Sequence, residues 1–433
     1  MREMKDSGIE WIGLTPSMWA NRRIKYVIKS RDSGLWGQDV KCEENGTICL
    51  RIADFDYSKG IFKDTPVDAL TYRKYPSYVV DKCHLKKGDI LIEKSGGGEK
   101  TPVGRTVLFD KPYIALFANF MDRIRVNTSV VMPQYLQYWF RAFYSCKMSP
   151  YYINQTTGIQ NINLSRLLTK EKVFYPSLKD QKAIVSFLDI KCSEIDAISA
   201  DIQKEIETLE QYKRSVITEA VTKGLNPDVE MKDSGAEWIG RVPNNWNLGR
   251  IGGFYSLRNE KVSDKDYPPL SVTMKGILPQ LETAAKTNDG DNRKLVRKGD
   301  FAINSRSDRR GSCGISKYDG SVSLINTVLT PRGKMSAAYY DWVFHCTRFS
   351  DEFYRQGHGI VDDLWTTGWQ EMKKIIIPVP PFLEQNEIAD YLSSKCSDID
   401  SVISQKNQQL ETLSNYKKIL IYEYVTGKKE VLI

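Results

Sequence analysis

The feature of this sequence that most constrains its fold is a 41-residue stretch, 181–221, whose apolar residues recur every seven positions. Neither Pro nor Gly interrupts the stretch, and Gly224 follows it where a helix would end. A seven-residue apolar repeat gives a helix a single apolar seam, which packs against another helix. The pattern therefore predicts one helix of about 60 Å, longer than a small domain is wide. The seam positions are Leu188, Ile195, Ile202, Leu209 and Val216.

The same stretch occurs a second time at 385–425, displaced by 204 positions. Both copies begin with Gln, and both contain Lys-Cys-Ser, Glu-Thr-Leu and Tyr-Lys in the same register. Unrelated coiled-coil helices would share the apolar spacing but not these polar motifs, so the sequence predicts an internal duplication. The seam of the second copy contains Leu392, Ile399, Leu413 and Leu420.

Another duplicated segment, which we name the lead-in, opens each half of the chain. Residues 4–19 read MKDSGIEWIGLTPSMW, and residues 231–246 read MKDSGAEWIGRVPNNW. Turn-forming residues beside a Trp-Ile-Gly anchor predict an extended, packed segment and not a helix. The order is therefore lead-in, globule and long helix, twice over. We predict a globular domain at 1–180, a central helix at 181–224, a second globular domain at 225–384, and a C-terminal helix with its tail at 385–433.

The two globules share few residues but have a common plan. In each, a Lys-Gly-Asp turn (87–89 and 298–300) precedes an apolar run that predicts a buried strand. In each, an aromatic stretch (133–145 and 337–355) predicts a helix that belongs to the core. The mixture predicts an α+β fold class for both globules. The aromatic core residues are predicted to be Tyr135, Tyr138, Trp139, Phe140, Tyr339, Tyr340, Trp342 and Phe344.

The lengths of these parts suggest how they are arranged. A globule of about 140 residues is roughly 35 Å across, and the linker 222–230 is short. The second globule is too small to carry the chain back along a helix of about 60 Å. We therefore expect the second long helix to start near the end of the first. Two antiparallel helices would then pair through their seams as a coiled coil, with one globule at each end and pseudo-twofold internal symmetry.

Composition narrows the function only slightly. The 62 basic and 54 acidic residues give a net charge of +8, a mild indication of a polyanionic partner. No apolar run approaches the roughly 18 residues that span a bilayer, which predicts no membrane association. The eight Cys contain no C-x-x-C pair and are interpreted as reduced thiols of a cytoplasmic protein.

Catalytic motifs are missing from the sequence. No phosphate-binding G-x-x-x-x-G-K-[ST] loop occurs, and the three His suggest neither a Ser/His/Asp triad nor a metal site. The proline-rich segment 378–381 lacks the Asn or Asp of an amino-methyltransferase motif. The adjacent carboxylates Asp362 and Asp363 are interpreted as a solvated face. We therefore predict neither a catalytic residue nor a bound metal or cofactor in this chain.

A polar, glycine-rich loop follows the predicted strand in each globule, at 93–105 and 304–316. Arg and Asn can form bidentate hydrogen bonds with guanine and adenine edges, and Lys can neutralise phosphates. An ordinary charged surface loop is the alternative, but both halves place a basic loop after the same turn and strand. The candidate DNA-binding residues of these loops are Lys94, Ser95, Lys100 and Arg105 in the first, and Asn304, Arg306, Arg309 and Arg310 in the second.

A further polar tract lies at 155–161, with a counterpart at 357–359. Gln160 is the candidate DNA-binding residue of this tract. Turn formation explains the glycines of both tracts equally well, so the alternatives stay open.

The duplicated plan resembles the specificity subunit of type I restriction–modification systems. The resemblance lies in the MKDSG-x-EWIG-x-x-P-x-x-W lead-in, a variable domain, a P-x-x-x-x-Q-x-x-I-x-x-[FY]-L helix start, and a long helix ending near Val-Thr-Gly. It covers essentially the whole chain. It implies two target-recognition domains that each read one half of an asymmetric, split site in double-stranded DNA. The two helices would be a spacer between them.

The resemblance also implies partners that carry the catalysis. Two methyltransferase subunits would dock on the chain, and restriction subunits would translocate and cut DNA. S-adenosylmethionine, ATP and Mg²⁺ would be bound by these partner subunits. The target-recognition domains vary within the family, so the candidate residues above rest on chemistry and symmetry alone. Two other interpretations are a coiled-coil scaffold whose globules bind proteins, and a self-sufficient methyltransferase or nuclease, which the missing motifs disfavour.

Overall fold

The computed structural model describes residues 2–40, 46–155, 158–280, 290–359 and 365–431. Two residues of the tract 155–161, Thr156 and Thr157, and the pair Asp362 and Asp363 lie outside the described residues. The chain divides into two compact units. Unit 1 consists of Met1–Gln203 and Gln408–Ile433, and unit 2 consists of Lys204–Asn407. Each long helix contributes residues to both units.

Both helices and strands occur in each half of the described residues. The helices are α1 (Ser77–Cys83), α2 (Pro133–Ser145), α3 (Leu164–Lys170), α4 (Leu178–Lys223), α5 (Ile251–Phe254), α6 (Ala337–His345), α7 (Thr347–Arg355), α8 (Trp369–Met372) and α9 (Phe382–Val425). The strands of the first half are β1 (Met4–Asp6), β2 (Leu14–Pro16), β3 (Ala20–Arg23), β4 (Ile28–Ser33), β5 (Thr47–Leu50), β6 (Phe55–Asp56), β7 (Ile61–Phe62), β8 (Tyr72–Arg73), β9 (Ile90–Glu93), β10 (Ser95–Gly96), β11 (Thr106–Leu108), β12 (Ala115–Phe117), β13 (Met121–Val126), β14 (Ile153–Gln155), β15 (Gln160–Ile162) and β16 (Lys172–Tyr175). The strands of the second half are β17 (Met231–Asp233), β18 (Arg241–Pro243), β19 (Asn247–Arg250), β20 (Tyr255–Arg258), β21 (Lys261–Val262), β22 (Leu270–Thr273), β23 (Gly276–Pro279), β24 (Arg293–Val296), β25 (Phe301–Asn304), β26 (Cys313–Ile315), β27 (Gly320–Val322), β28 (Asn326–Pro331) and β29 (Ile376–Val379).

Unit 1 is built on a six-stranded sheet in the order β4-β13-β9-β11-β7-β6. Strand β9 is buried along its whole length. Helix α2 starts at Pro133, whose missing N–H costs nothing at the first position of a helix. Its fully buried rings at Tyr135, Trp139 and Phe143 are spaced four residues apart, so they form one apolar face. The aromatic stretch therefore belongs to the core, as predicted.

Unit 2 contains a four-stranded sheet in the order β20-β28-β25-β26. This is the order of β4-β13-β9-β11 in unit 1, with the strand after the Lys-Gly-Asp turn in the same place. The sequence predicts a single helix over 337–355, but the structure has two helices there. Cys346 has an extended backbone (φ −63°, ψ 131°) and divides the stretch into α6 and α7. The break turns α7 so that Phe349, Phe353 and Tyr354 enter the core.

The duplicated Lys-Gly-Asp turns place a buried carboxylate beside a strand. Gly88 and Gly299 have φ values of +92° and +91°, a conformation that favours glycine. Asp89 accepts two hydrogen bonds from the Arg125 guanidinium, at 2.8 and 2.7 Å. Asp300 does the same with Arg258, at 2.6 and 3.1 Å. Both carboxylates are 2% exposed. The first ion pair fastens its turn to β13, the strand next to β9, and the second fastens its turn to β20, which β28 separates from β25.

The two long helices are present, each starting three residues before its predicted first residue. In unit 1 the ring centroids of Phe187 and Tyr424 are 4.5 Å apart, and Lys417 pairs with Asp196 further along α4. The first part of α4 therefore runs antiparallel to the last part of α9. The predicted seam residues of unit 1 are buried or half-buried, namely Leu188, Ile195, Ile202, Leu413 and Leu420.

Unit 2 contains the other parts of the same helices, and they also run antiparallel. Lys406 pairs with Glu205, and Lys213 pairs with Asp400 at 2.6 Å. The predicted seam residues of this unit are likewise buried or half-buried, namely Leu209, Val216, Leu392 and Ile399.

Each unit joins the start of one long helix to the end of the other. In unit 1 the side chain of Gln181 hydrogen-bonds to three backbone atoms near α2, and the Tyr135 hydroxyl donates to the carbonyl of Val425 at 3.0 Å. In unit 2 Gln385 accepts from a backbone N–H at 2.9 Å, and the Tyr339 hydroxyl donates to the carbonyl of Val221 at 2.9 Å. The duplicated Gln residues are thus buried attachment points.

The lead-ins form two-stranded antiparallel hairpins, β1-β2 and β17-β18. In unit 1 the first lead-in packs against Gly427 after α9, where an added Cβ would lie 2.4 Å from Pro16 Cδ and 3.1 Å from the Trp19 ring. In unit 2 the second lead-in packs against Gly224 after α4, where the Trp246 ring would lie at 3.2 Å. The Pro-x-x-Trp motif therefore covers a glycine that ends a long helix.

Candidate nucleic-acid interface

In unit 1 the structure brings the two polar stretches of the first globule together in one small sheet. Strand β10 pairs antiparallel with β15, with Ser95 opposite Asn161, and β15 pairs with β14, with Asn161 opposite Asn154. Directly opposed residues lie on the same face of a sheet, so these three polar side chains form one row. The Ser95 hydroxyl donates to Asn161 Oδ1 at 2.6 Å. Asn154 and Asn161 are exposed.

Unit 2 brings the corresponding stretches together in the same way. Arg306 and His358 each form a β-bridge with Thr366. The backbone N–H of Thr367 also donates to the carbonyl of Ser305 at 3.0 Å. The loop after the Lys-Gly-Asp strand and the tract 357–359 are therefore neighbours in this unit as well.

Two candidate DNA-binding lysines of unit 1, Lys94 and Lys100, differ in whether their charge is already paired within the fold. Lys94 Nζ lies 2.9 Å from Asp122 Oδ1 and 3.0 Å from Ser33 Oγ. Asp122 is 1% exposed, so Lys94 neutralises a buried carboxylate. Lys100, in contrast, is exposed at the tip of the loop. Lys100 is thus the more available cation of the two for a phosphate.

Arg105 and Gln160 face the interior of unit 1 and not the row of amides. The Arg105 guanidinium binds Glu93 at 2.9 and 3.0 Å, and its carbon lies 3.6 Å from the centroid of the Tyr57 ring. Burial alone would lower the pKa of Arg105, but the hydrogen bond to Glu93 and the negative charge of Glu93 together outweigh burial and raise that pKa. Gln160 is 6% exposed and accepts from the Val103 backbone at 3.3 Å. These contacts stabilise the two ends of the loop 93–105.

Unit 2 presents a cationic surface at the equivalent place. Asn304 is 7% exposed, and its side-chain oxygen accepts from the backbone N–H of Arg306, so it shapes the turn. Arg306 is exposed. The side chains of Arg309 and Arg310 are 68% and 61% exposed, with loose ion pairs of 3.5 Å to Asp308 and 3.8 Å to Asp351. The Arg310 guanidinium also lies 5.3 Å from the centroid of the Tyr354 ring. Pairs this exposed are weak, so the guanidiniums of Arg309 and Arg310 can exchange their carboxylate partners for nucleic acid.

Sequence reasoning did not select Asn154, Asn161 or His358 as site residues. Asn161 and His358 lie in the polar tracts, and that location was the available sequence signal. Asn154 becomes recognisable only through its pairing with Asn161. No group of three or more His, Cys, Asp or Glu in the described part of the chain could hold a metal ion. None of the helices within the described ranges has the length and apolar character needed to cross a membrane.

Comparison with known proteins shows what this chain is similar to. The family model of the type I restriction modification DNA specificity domain matches residues 16–208. A putative type I restriction enzyme MjaX specificity subunit from Methanocaldococcus jannaschii is 25% identical over 437 residues, covering 97% of this chain and 96% of the relative. A putative type I restriction enzyme specificity subunit from Haemophilus influenzae, S.HindORF215P, is 30% identical over 133 residues, which is 31% of each chain.

Solved structures show the same fold. A chain determined in work on complex assembly and conformational transition of the type I R-M system has a TM-score of 0.69 at 13% identity, covering 96% of this chain and 99% of its own. The HsdS subunit from Thermoanaerobacter tengcongensis has a TM-score of 0.51 at 14% identity, covering 96% and 98%. The resemblance inferred from the lead-ins and helix starts is thereby confirmed. Over almost its whole length the chain is similar to specificity subunits of type I restriction–modification systems.

Proposed function

We propose that this chain reads a bipartite, asymmetric site in double-stranded DNA, with one half-site for each globule. The observation that carries the proposal is the shared placement of two chemically different surfaces. In unit 1 the loop after the Lys-Gly-Asp strand lies beside a row containing Asn154 and Asn161. In unit 2 the equivalent loop carries Arg306, Arg309 and Arg310. A constant frame with different side chains is what two readers of different sequences require.

The two surfaces differ in the bases that they suit. Asn amides form bidentate hydrogen bonds with adenine N6 and N7, whereas Arg does so with guanine O6 and N7. Lys100 in unit 1 would contribute a phosphate contact, which adds affinity without sequence information. We therefore propose an adenine-containing half-site for unit 1 and a guanine-containing half-site for unit 2.

The paired long helices are proposed to be an antiparallel coiled-coil spacer with pseudo-twofold internal symmetry between recognition domains at 1–180 and 225–384. Exposed apolar residues at duplicated positions support docking of two methyltransferase subunits on these helices. They are Ile198 and Tyr416 in unit 1, which are 49% and 52% exposed, and Val402 and Tyr212 in unit 2, which are 40% and 48% exposed. Restriction subunits would complete the complex in the cytoplasm. We propose that this chain is non-catalytic and that S-adenosylmethionine, ATP and Mg²⁺ bind to the partner subunits.

The test is a selection of random duplex DNA by the chain co-expressed with its methyltransferase subunit. We expect a split motif with two specified blocks and an unspecified spacer. Arg306→Ala combined with Arg309→Ala should relax one block only, and Asn154→Ala combined with Asn161→Ala should relax only the other. Selected DNA without a split motif would refute DNA reading and favour a protein-binding scaffold. Relaxation of both blocks by either pair would refute the assignment of one half-site to each globule.

A further inference from the structure

An exposed apolar side chain lies beside the candidate DNA-binding loop in each unit. Phe120 in unit 1 is 49% exposed, and Ile325 in unit 2 is 38% exposed. Single exposed apolar residues are common on protein surfaces and need no explanation by themselves. These two need one because they occupy the same position in two globules that share few residues.

The register of the strands establishes that the two positions are equivalent. In unit 1 the first residue of β13 is paired with the last residue of β9, and in unit 2 the first residue of β28 is paired with the last residue of β25. Strands β9 and β25 are the ones that follow the Lys-Gly-Asp turns. Phe120 immediately precedes β13, and Ile325 immediately precedes β28. Each residue therefore lies at the end of the sheet where the candidate loop begins.

Backbone hydrogen bonds hold both residues against these loops. The Phe120 carbonyl accepts from the backbone N–H of Lys94 at 2.9 Å and from that of Ser95 at 3.3 Å. The Ile325 carbonyl accepts from the backbone N–H of Ser305 at 3.3 Å, and Ser305 directly precedes the candidate residue Arg306. An apolar surface and a polar surface are thus adjacent in both units.

In unit 1 the spacing between these surfaces matches a few base pairs of DNA. The Lys94 backbone bonds to Phe120 through its N–H and to Ile162 of β15 through its carbonyl. Neighbouring strands lie about 4.8 Å apart, so Phe120 lies roughly 10 Å from β15, the strand that carries Asn161. Consecutive base pairs are about 3.4 Å apart, so this distance corresponds to about three base pairs.

We infer that Phe120 and Ile325 are specificity-determining residues that contact the 5-methyl group of a thymine in the major groove. An apolar side chain cannot hydrogen-bond with a base edge, but it packs against this methyl group, which distinguishes thymine from the other bases. Each half-site then contains an A·T pair within about three base pairs of the base read by the neighbouring polar side chains. This inference rests on the proposed DNA reading, and it adds a thymine to the guanine-containing half-site of unit 2.

The test uses the chain co-expressed with its methyltransferase subunit and duplexes that carry the selected split motif. Each thymine of the motif is replaced in turn by deoxyuridine, which lacks only the 5-methyl group. The variants are Phe120→Ala and Ile325→Ala, and each is a control for the other because it lies in the other unit. Ile114→Ala is the matched control within unit 1, since Ile114 is 60% exposed but precedes β12, whereas Phe120 follows that strand. Thermal unfolding of each variant shows whether it is folded.

We expect deoxyuridine at one position of the unit 1 half-site to weaken binding by the wild-type chain about fourfold, the effect of losing one buried methyl group. Phe120→Ala should abolish this sensitivity and leave the deoxyuridine sensitivity of the unit 2 half-site unchanged. Ile325→Ala should have the reverse effect, and Ile114→Ala should change neither sensitivity.

Insensitivity of the wild-type chain to every deoxyuridine substitution would overturn the inference while leaving the proposed split-site reading intact. This arm needs no variant, so it decides the matter even where a variant does not fold. A half-site without an A·T pair would also overturn the inference, as would a deoxyuridine sensitivity that Phe120→Ala or Ile325→Ala preserves in its own half-site. Selected DNA without a split motif would instead refute the proposed function, and the inference with it.

Discussion

The duplicated ion pairs of the long helices allow one prediction to be worked out in detail. In unit 1, Lys417 Nζ lies 2.6 and 2.7 Å from the two oxygens of Asp196 and 2.8 Å from the carbonyl of Ser58. In unit 2, Lys213 holds Asp400 at 2.7 and 2.6 Å. The geometry is nearly the same, but the exposure differs. The paired side chains are 10% and 25% exposed in unit 1, and 26% and 58% exposed in unit 2.

This difference sets the expected size of each effect. Removing one partner of a fully buried ion pair costs about 3–5 kcal/mol, because the other charge is left without a partner. Water reaches part of Asp196, so we expect Lys417→Met to cost about 2–3 kcal/mol in unit 1. Exposed ion pairs contribute about 0–1 kcal/mol, so Lys213→Met should cost no more than that in unit 2. Methionine keeps most of the apolar length in both variants.

Native-state hydrogen exchange measures the two units separately. Lys417→Met should accelerate exchange of the backbone amides in 408–425 by about 30- to 150-fold, and Lys213→Met should accelerate exchange in 204–223 by less than about fivefold. Adding Asp196→Leu to Lys417→Met should recover much of the loss, because it removes the unpaired carboxylate. Equal acceleration in the two units, or no recovery in the double variant, would refute the argument from burial.

Three further predictions concern attachment, recognition and pH. Gln181→Leu should lower the free energy of unfolding by about 2–3 kcal/mol, measured by thermal unfolding, because three backbone atoms lose their partner. Lys94→Ala should destabilise the fold but leave the selected DNA motif unchanged, whereas Arg309→Ala should lose about 1–3 kcal/mol of discrimination at one base, measured by competition binding. Burial would raise the pKa of Asp32, but the hydrogen bond and charge of Arg123, with smaller contributions from Ser30 and Arg125, together outweigh burial and lower that pKa below 3.8. A carboxyl with a lowered pKa stabilises the fold above pH 3.8 and loses that contribution as pH falls through its folded pKa, so Asp32→Asn should make the acid unfolding curve shallower below pH 3.8.

The long helices and the family were predictable because their signals are local. One segment of the sequence contains the heptad repeat, the absence of helix breakers and the glycine that follows the helix. The duplication is found by comparing the two halves of the chain. The break at Cys346 was not predictable from the same kind of signal. The break depends on the sheet and the long helix against which α6 and α7 pack. Residues 337–355 contain no Pro or Gly from which a break could be predicted.

The candidate site was predictable as a place but not as a set of side chains. Composition does not distinguish Lys94 from Lys100. Lys94 differs because it pairs with Asp122, which lies on a separate strand, β13. Nor does composition show that Asn304 is turned into the fold while Arg309 is exposed. The row of Ser95, Asn161 and Asn154 requires pairing between strands that are distant in sequence. Long-range register is therefore the information that sequence patterns lacked.

The division of the long helices between the units has a consequence for synthesis on the ribosome. Unit 2 is continuous, so all its residues have been synthesised once Asn407 has been translated. Unit 1 is complete only when the residues from Gln408 onward have been synthesised. For example, Val425, whose carbonyl accepts from the Tyr135 hydroxyl, is synthesised nearly 300 residues after Tyr135. Because domains fold as their residues emerge, the half made first is completed last. The nascent first globule therefore presents an uncovered apolar surface throughout elongation, the interval in which holdase chaperones bind such surfaces.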